Sequence, residues 1–462
     1  MSEDTKAAKD AEKMEKIVSL CKRRGFIFQS SEIYGGLNGC WDYGPLGAEL
    51  KRNLKDYWWR KHVRERDDVV GLDGAILTHQ DVLKASGHVG GFSDPMVDCR
   101  TCKARFRADQ VGEQKCHQKP SKSPEENGCD LTEPRDFNLM FETKMGASSD
   151  DGATAYLRPE TAQSIFVQFK NVCDQTGERV KIPFGIAQIG KAFRNEINPR
   201  NFTFRSREFE QMEIEYFCRA EDGLELTDYW LEERLKFYES IGIPRDKLHV
   251  LDIPDGERAH YSSKTYDIEY EFPFGVQELE GVAYRTDHDL QAHSEAVGKP
   301  QEYIDQAAGE KFIPHVVEPS AGCDRTVLAL ICEAYDEETV TGDKGKEETR
   351  VVLHFDPKMA PIKCAVFPLL KNKPELVAKA KEVQALLRPL MNVTYDETGA
   401  VGRRYRRQDE AGTPFCATID FDTIGENGPE NEGTVTLRER DSMEQTRIKI
   451  ADLAAHLLQR IH

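Results

Sequence analysis

Residues 184–218 read FGIAQIGKAFRNEINPRNFTFRSREFEQMEIEYFC, and the fold follows from how this stretch alternates. Phe184, Ile186, Gln188, Ala192 and Arg194 share one parity, and Glu196 continues it. Beyond Asn198-Pro199-Arg200-Asn201, one face collects Met212, Ile214, Tyr216 and Cys218, while the other collects Gln211, Glu213 and Glu215. Period-two alternation predicts two long strands with unlike faces, and the Asn/Pro cluster predicts their connection. Arg194, Glu196, Arg205, Arg207, Glu208, Glu213 and Glu215 crowd a segment that is otherwise core-like. A solvated sheet face is one reading of these charges. Arginines and carboxylates opposite an apolar stripe also suit a site for an anion beside a cation.

At 462 residues the chain can hold two or three domains with cores of their own. Hydrophobic content of 39% and charged content of 31% suit a soluble globular protein. The N-terminal MSEDTKAAKDAEKMEK is charged and has no apolar signal core, and no apolar run approaches membrane-spanning length. A cytoplasmic protein without a membrane partner is expected. Its twelve cysteines then read as reduced thiols or metal ligands, not as a disulfide framework. A net charge of −18 argues against non-specific coating of nucleic acid, DNA included, and leaves room for a specific RNA partner.

In chain order, residues 13–24 read as a helix ending near Gly25. The Gly-rich 35–44 segment reads as a packed loop, and Pro45 suits a helix start. Leu46, Leu50, Leu54, Tyr57 and Trp58 then form one helical stripe, followed by a strand over 69–78. Cys99 and Cys102 have the C-x2-C spacing that places two thiolates on one zinc ion, and Cys116 and Cys129 would complete a structural site within an insertion at about 97–135. His117 competes with Cys116 as a ligand, and four reduced thiols are the alternative. Residues 224–241 predict an amphipathic helix with Leu224, Tyr229 or Trp230, Leu235, Tyr238 and Ile241 inward; 265–272 predicts a strand. A buried helix over 326–335 follows the small residues of 320–323.

Several separate motifs then agree in order and spacing. Phe193-Arg194-Asn195-Glu196, a loop, and Arg205-Ser206-Arg207-Glu208-Phe209 resemble motif 2 of class II aminoacyl-tRNA synthetases. The helix and strand of 45–78 resemble motif 1, the dimer element, with Thr78-His79 where its usual proline stands. Val317 through Arg325 resembles motif 3. The longer string REFEQMEIEYF is similar to that of the homodimeric glycyl-tRNA synthetase family. The resemblance implies an α+β protein: an antiparallel-sheet catalytic domain with helices over 1–340 and a C-terminal α/β anticodon-binding domain over 351–462. It implies activation of glycine with ATP and transfer to tRNA(Gly), with ATP as substrate, Mg2+ alongside it, and a homodimer.

The resemblance also assigns residues. Arg194, Glu196 and Arg325 would be catalytic. The nucleotide site would comprise Arg194, Asn195, Glu196, Phe204, Arg205, Ser206, Arg207, Glu208, Phe209, Glu278, Leu279, Gly322, Cys323, Asp324 and Arg325, with adenine between Phe209 and Arg325 and magnesium on Glu278. The glycine site would comprise Arg105, Glu160, Phe209, Glu210, Gln211, Met212, Glu213, Arg285, Glu318, Pro319, Ser320, Ala321 and Gly322. Arg285 would bind the glycine carboxylate, or else pair with Asp287 or Asp289. Glu160, Glu213 and Glu318 would hold the ammonium, with Ser320 near the α-carbon, so that Ser320→Val is expected to abolish activation. Rival readings are another synthetase of the same subclass, a non-catalytic relative, and a pure RNA-binding module.

Residues 336–350 are charged, glycine-containing and without periodicity, and are expected to form a linker, with 341–350 separating the two domains. Beyond them, strands at 360–368, 393–395, 415–421 and 434–437 and helices at 374–390 and 450–460 predict a three-layer α/β domain. Arg403, Arg404, Arg406 and Arg407 around Tyr405, with Arg438 and Arg440, suit contact with single-stranded RNA; a solvated surface is the alternative.

Overall fold

The computed structural model of the chain describes residues 3–146, 153–176, 180–341, 345 and 347–461. The 184–218 stretch forms strands Phe184–Phe193 and Glu208–Cys218, paired antiparallel from Phe184 opposite Phe217 to Phe193 opposite Glu208. They belong to a seven-stranded sheet in the spatial order Leu248–Asp252, Lys264–Phe272, Gly275–Thr286, His315–Gly322, Glu208–Cys218, Phe184–Phe193, Val69–Gly71. All neighbours are antiparallel except the last, which runs parallel to Phe184–Phe193.

The two faces of the sheet have different fates, and this difference creates the site. Met212, Ile214, Tyr216 and Cys218 enter the main core with Leu50, Leu54 and Trp58 of helix Pro45–Trp59 and Val327, Leu328 and Ile331 of helix Cys323–Ala334. Burying such side chains stabilises the fold by about 1.5–3 kcal/mol each. On the opposite face, helix Ala162–Thr176 covers one end, packing Ile165, Phe166 and Phe169 on Phe184, Ile186 and Phe217. The other end of that face stays open as a cleft.

Some sequence expectations are corrected. The N-terminal helix spans Glu3–Arg24. The strand expected over 69–78 divides into Val69–Gly71 and Leu77–His79, the second pairing with Ala153–Leu157 in a separate sheet. The chain between them is held at Gly74, whose N–H donates to Gln188 Oε1 at 2.7 Å and whose carbonyl accepts from Arg158 at 2.9 Å. Helix Gly223–Ser240 buries Trp230, Leu235 and Tyr238, but Leu224, in its first turn, is 59% exposed.

The 97–135 region carries a three-stranded sheet of Ser93–Asp98, Arg105–Arg107 and Arg135–Asn138, with its own small core of Val97, Phe106 and Val111. The stretch expected to be a linker is, in its described residues, two paired strands, Tyr335–Thr341 and Glu347–Leu353. Its charges did not prevent pairing, because Glu338 sits opposite Arg350 and bonds it at 2.6 Å.

The C-terminal sheet has the order Val393–Tyr395, Cys364–Pro368, Phe415–Ile419, Thr434–Glu439, Gln445–Lys449, with the first three strands parallel. Helices Pro374–Leu387 and Ile450–Ile461 pack Leu376, Val383, Leu453 and Leu457 into its core. Helix Val401–Ala411 and strand Gln445–Lys449 were not legible in the sequence. That helix divides the expected basic cluster: Arg403 stays exposed and Arg406 and Arg407 partly so, while Arg404 and, on the neighbouring strand and beyond, Arg438 and Arg440 are buried. Arg404 is buried and donates to the carbonyls of Pro368, Glu397 and Gly399. Arg438 reaches buried Asp409 at 2.9 Å, buried Arg440 donates to the carbonyls of Gly412 and Phe355, and the Tyr405 hydroxyl meets Thr418.

Candidate active site

The open part of the sheet face is a cleft of about 450 Å³. Its basic end comes from the hairpin. Arg194, one residue past the first strand, donates through Nε to the Pro159 carbonyl at 3.1 Å. Its guanidinium lies 5.5 Å from the Phe209 ring and 5.3 Å from Phe92. Arg325, in the first turn of helix Cys323–Ala334, lies 4.6 Å from the Phe204 ring and pairs with Glu278 at 3.1 Å. Arg325 therefore stacks on Phe204, and it is Arg194 that meets Phe209. Arg325 also holds the Glu278 carboxyl below its ordinary range, against the opposing effect of burial.

The acidic end lies on three adjacent strands. Ser320 stands opposite Glu213 on one neighbour and Gly281 on the other. Its hydroxyl donates to Glu213 Oε1 at 2.7 Å and accepts from Gln211 Nε2 at 3.3 Å, while Thr161 donates to the second Glu213 oxygen. Glu160 is placed by its neighbour Arg158, which spans the strand below to the Lys191 carbonyl at 2.6 Å and to Gln188 at 3.1 Å. Gly190 is required there, since a Cβ would meet the Arg158 guanidinium at 2.1 Å.

Charge is distributed unevenly along this end. Burial, with Glu318 and Glu160 nearby, pushes Glu213 up to about 8. Burial also works to raise Glu160, but His88, 3.4 Å away, and Arg285 outweigh it and hold Glu160 below the usual carboxylate range. Glu318 is raised by burial against the pull of Arg285.

Arg194, Glu196, Phe204, Arg205, Ser206, Phe209, Glu210, Gln211, Glu213, Glu278, Gly322, Asp324, Arg325, Glu160, Glu318 and Ser320 all line this one cleft. Other expected residues do not. Met212, Leu279 and Ala321 point into the main core, because alternate residues of a strand face opposite ways, and Cys323, the first residue of helix Cys323–Ala334, is buried there too. Pro319 is buried on the strand beside Val282. Arg105 is turned to Asp98 at 3.2 Å and its side chain is 63% exposed, outside the cleft lining.

Arg207 donates to the carbonyls of Asn38 and Glu196, pinning the loop; Glu208 pairs with Lys191; and the Asn195 N–H donates to the Leu139 carbonyl. Arg285 takes the ion-pair alternative, bonded to Asp289 at 2.8 and 2.9 Å and to Glu318 at 2.8 Å. Glu210 reaches the cleft edge, but its carboxylate faces Lys51 and Lys55, and Asp324 is held by Tyr43 and Lys51.

Sequence reasoning missed Phe92, His88, Tyr261 and Asp267. Of these, Tyr261 and Asp267 line the cleft. Tyr261 sits in a loop and Asp267 within strand Lys264–Phe272, with no motif around either. Asp267 is pushed up to about 7 by burial and by Glu278 and Glu269, so three carboxylates crowd the basic end.

At the cysteine cluster, Cys116 Sγ lies 3.5 Å from Cys129 Sγ, and the Cys102 N–H donates to Cys99 Sγ at 3.4 Å. His117 is exposed against the Phe106 ring. Among the described residues, no helix is long and apolar enough to cross a membrane.

A nucleotide-sized cleft on an antiparallel sheet, with an arginine from the central hairpin and another from the following strand–helix junction, has the form of a class II aminoacyl-tRNA synthetase core. The family described as "tRNA synthetase class II core domain (G, H, P, S and T)" matches residues 141–335, and "Anticodon binding domain" matches 363–460. The chain is 52% identical over 450 residues to a glycine–tRNA ligase of Treponema denticola, covering 96% of each chain. It is 50% identical to those of Clostridium perfringens, over 96% of this chain and 97% of the relative, and Thermobifida fusca, over 98% and 99%. The chain belongs to the glycine–tRNA ligase family.

Proposed function

We propose that this cleft joins glycine to ATP and then passes glycine to the 3′ end of tRNA(Gly), with the basic end holding the nucleotide and the acidic end the amino acid. One observation carries the reading: Arg194 and Arg325 share a single cleft with Glu160, Glu213 and Ser320. The nucleophile is the carboxylate of glycine itself, so no catalytic Ser, Cys or His is needed. The protein positions two anions and offsets charge at the α-phosphate. Arg194 suits that phosphate, since a guanidinium stays charged at neutral pH and binds phosphate with a planar fork. Glu196 reads the adenine amine, and Phe209 and Arg325 hold the ring by an aromatic face and a cation. Glu160, Glu213 and Glu318 take the ammonium. Ser320 stands beside the α-carbon, and selection of glycine rests on its excluding a side chain there.

Glu278, with Asp267 and Glu269 beside it, fits a magnesium ion: crowded carboxylates, one of them raised to about 7, gain from a divalent cation. Such an ion supplies neutralising charge to the phosphates. Cys99, Cys102, Cys116 and Cys129 fit a structural zinc ion, the N–H donated to Cys99 Sγ being a support that a metal-bound thiolate uses. Metal analysis of the purified protein tests it.

We assign catalysis to about 1–340 and anticodon contact to 351–462, in a cytoplasmic homodimer built on helix Pro45–Trp59, for which sedimentation is the check. The deciding experiment is exchange of labelled pyrophosphate into ATP without tRNA. Glycine is expected to support it. Exchange with threonine, proline or histidine instead would overturn the assignment.

A further inference from the structure

The floor of the acidic end carries more negative charge than one ammonium can offset. Glu213, Glu215 and Glu318 each offer a carboxylate oxygen, and the three lie within 4.8 Å of one another. Asp289 and Glu160 add to them. The guanidinium among them, Arg285, is already bonded to Asp289 and Glu318. Glu215 differs from the rest: it is fully buried, and among the described residues neither of its oxygens has a hydrogen-bond partner. Glu213, by contrast, accepts from Ser320 and Thr161. Like charges this close in a dry site do not all ionise, and a buried carboxylate without donors is the least able to.

Among the described residues, the surroundings of Glu215 offer no other relief. Glu213 faces it from its own strand, Glu318 from strand His315–Gly322, Arg285 from Gly275–Thr286 and Asp289 from helix His288–Val297. On the strand at its other side it stands opposite Ile186, and helix Ala162–Thr176 brings apolar Ile165 and Phe166 and neutral Gln163. Around the rim, Tyr261 stacks on Arg285 at 3.8 Å, His88 touches Glu160, and the charge of Arg158 reaches Glu213.

We propose that Glu215 is a positioning residue that stays protonated, and that glycine enters by exchange for a proton held on Glu213. The inference rests on the glycine-pocket reading above. The step balances: the O–H bond of the Glu213 carboxylic acid breaks, its proton passes to solvent, and the carboxylate pairs with the ammonium, so the charge of the floor is unchanged. A neutral Glu215 spares Glu213 a second adjacent anion and leaves Glu318 to Arg285.

Glu213, raised to about 8 by burial, Glu318 and Glu160, must ionise to receive the ammonium. Its ionised fraction below that pH falls tenfold per unit, so KM for glycine rises about tenfold from pH 7 to pH 6 while KM for ATP does not follow.

Infrared spectra of the full-length protein at pH 7, with and without glycine, test this. The expected result is a protonated-carboxyl carbonyl band that persists in both and disappears in Glu215→Gln. A second band is lost when glycine binds and is missing in Glu213→Gln. An indicator dye in weakly buffered solution is expected to record about one proton released per chain, and this count on the unsubstituted protein holds even if a variant fails to fold. Glycine binding without proton release, or no acid band traceable to Glu215, overturns the proposal while the pocket reading stands. A Glu213→Gln protein with unchanged KM for glycine overturns the pocket reading and the proposal with it.

Discussion

Replacing Ser320 with valine attacks the glycine end at one point, and its effect divides into two parts. The first is a lost hydrogen bond. Ser320 Oγ donates to Glu213 at 2.7 Å, and with Glu213 ionised in the glycine complex a bond to that charged partner contributes about 1.5–3 kcal/mol. The second is overpacking. Ser320 stands opposite Gly281, which brings no side chain, so the space between them is the room left for an α-carbon. Two methyl groups placed there cost about 1–3 kcal/mol where the walls cannot move. Together the terms reach roughly 2.5–6 kcal/mol, a fall of about 10²- to 10⁴-fold in kcat/KM for glycine. Ser320→Ala removes only the hydroxyl and isolates the first term, about 10- to 150-fold. The assay is glycine-dependent pyrophosphate exchange, with KM for ATP as the internal control, since Ser320 lies at the end of the cleft away from Arg194 and Arg325. A valine variant within threefold of the unsubstituted protein refutes the placement of glycine against Ser320. A valine variant no worse than the alanine variant refutes exclusion by volume.

Gly281→Ala tests the same space from the facing strand. Among the described residues a Cβ there would meet only Asp267 Oδ1, at 3.8 Å, so thermal unfolding is expected to be unchanged while KM for glycine rises. Asp409 is fully buried between Arg350, at 2.8 Å, and Arg438, at 2.9 Å. Asp409→Ala strands two guanidinium groups and is expected to destabilise the protein by about 3–5 kcal/mol, read by urea unfolding. His354 lies between Asp441 and Glu338 where the paired strands meet the C-terminal domain. Asp441 raises its folded-state pKa, outweighing burial. The stabilisation is therefore complete below the unfolded value near 6.5 and lost as pH rises through the folded value, so His354→Gln is expected to flatten that alkaline loss in unfolding midpoints.

The central hairpin was legible because its two faces are so unlike that a one-residue slip would bury charge and expose the core. Period-two spacing alone separated Glu213 from Met212, and the structure puts them on opposite faces. The same alternation, applied strictly, would have removed Met212, Leu279 and Ala321 from the expected site. They entered it because a motif lists consecutive residues while a strand presents alternate ones. His88, Phe92 and Tyr261 were illegible for another reason: a short helix, His88–Gly91, its end and a loop carry them in from distant sequence, and only tertiary packing sets them beside Glu160, Arg194 and Arg285. The paired strands at 335–353 were hidden because charged rungs such as Glu338–Arg350 read as a solvated tether until each charge is seen opposite its partner.

The arginines show where composition stops being informative. Arg194 and Arg404 each sit in a basic, aromatic-containing stretch, and both suggested an anion. Arg194 spends one donor on the Pro159 carbonyl and keeps a face over Phe209 towards the cleft. Arg404 is buried with three backbone carbonyls, and Arg438 and Arg440 are likewise consumed by Asp409, Asp441 and the carbonyls of Gly412 and Phe355. A five-donor guanidinium is well suited to closing loops whose carbonyls would otherwise be buried without partners. An arginine signals a ligand only when its donors outnumber the acceptors the fold brings to it. By that measure the end of the cleft that carries Arg194 keeps its basic character, whereas the RNA contact proposed for the C-terminal domain is left to more exposed side chains such as Arg403 and Arg406, which share the same helix.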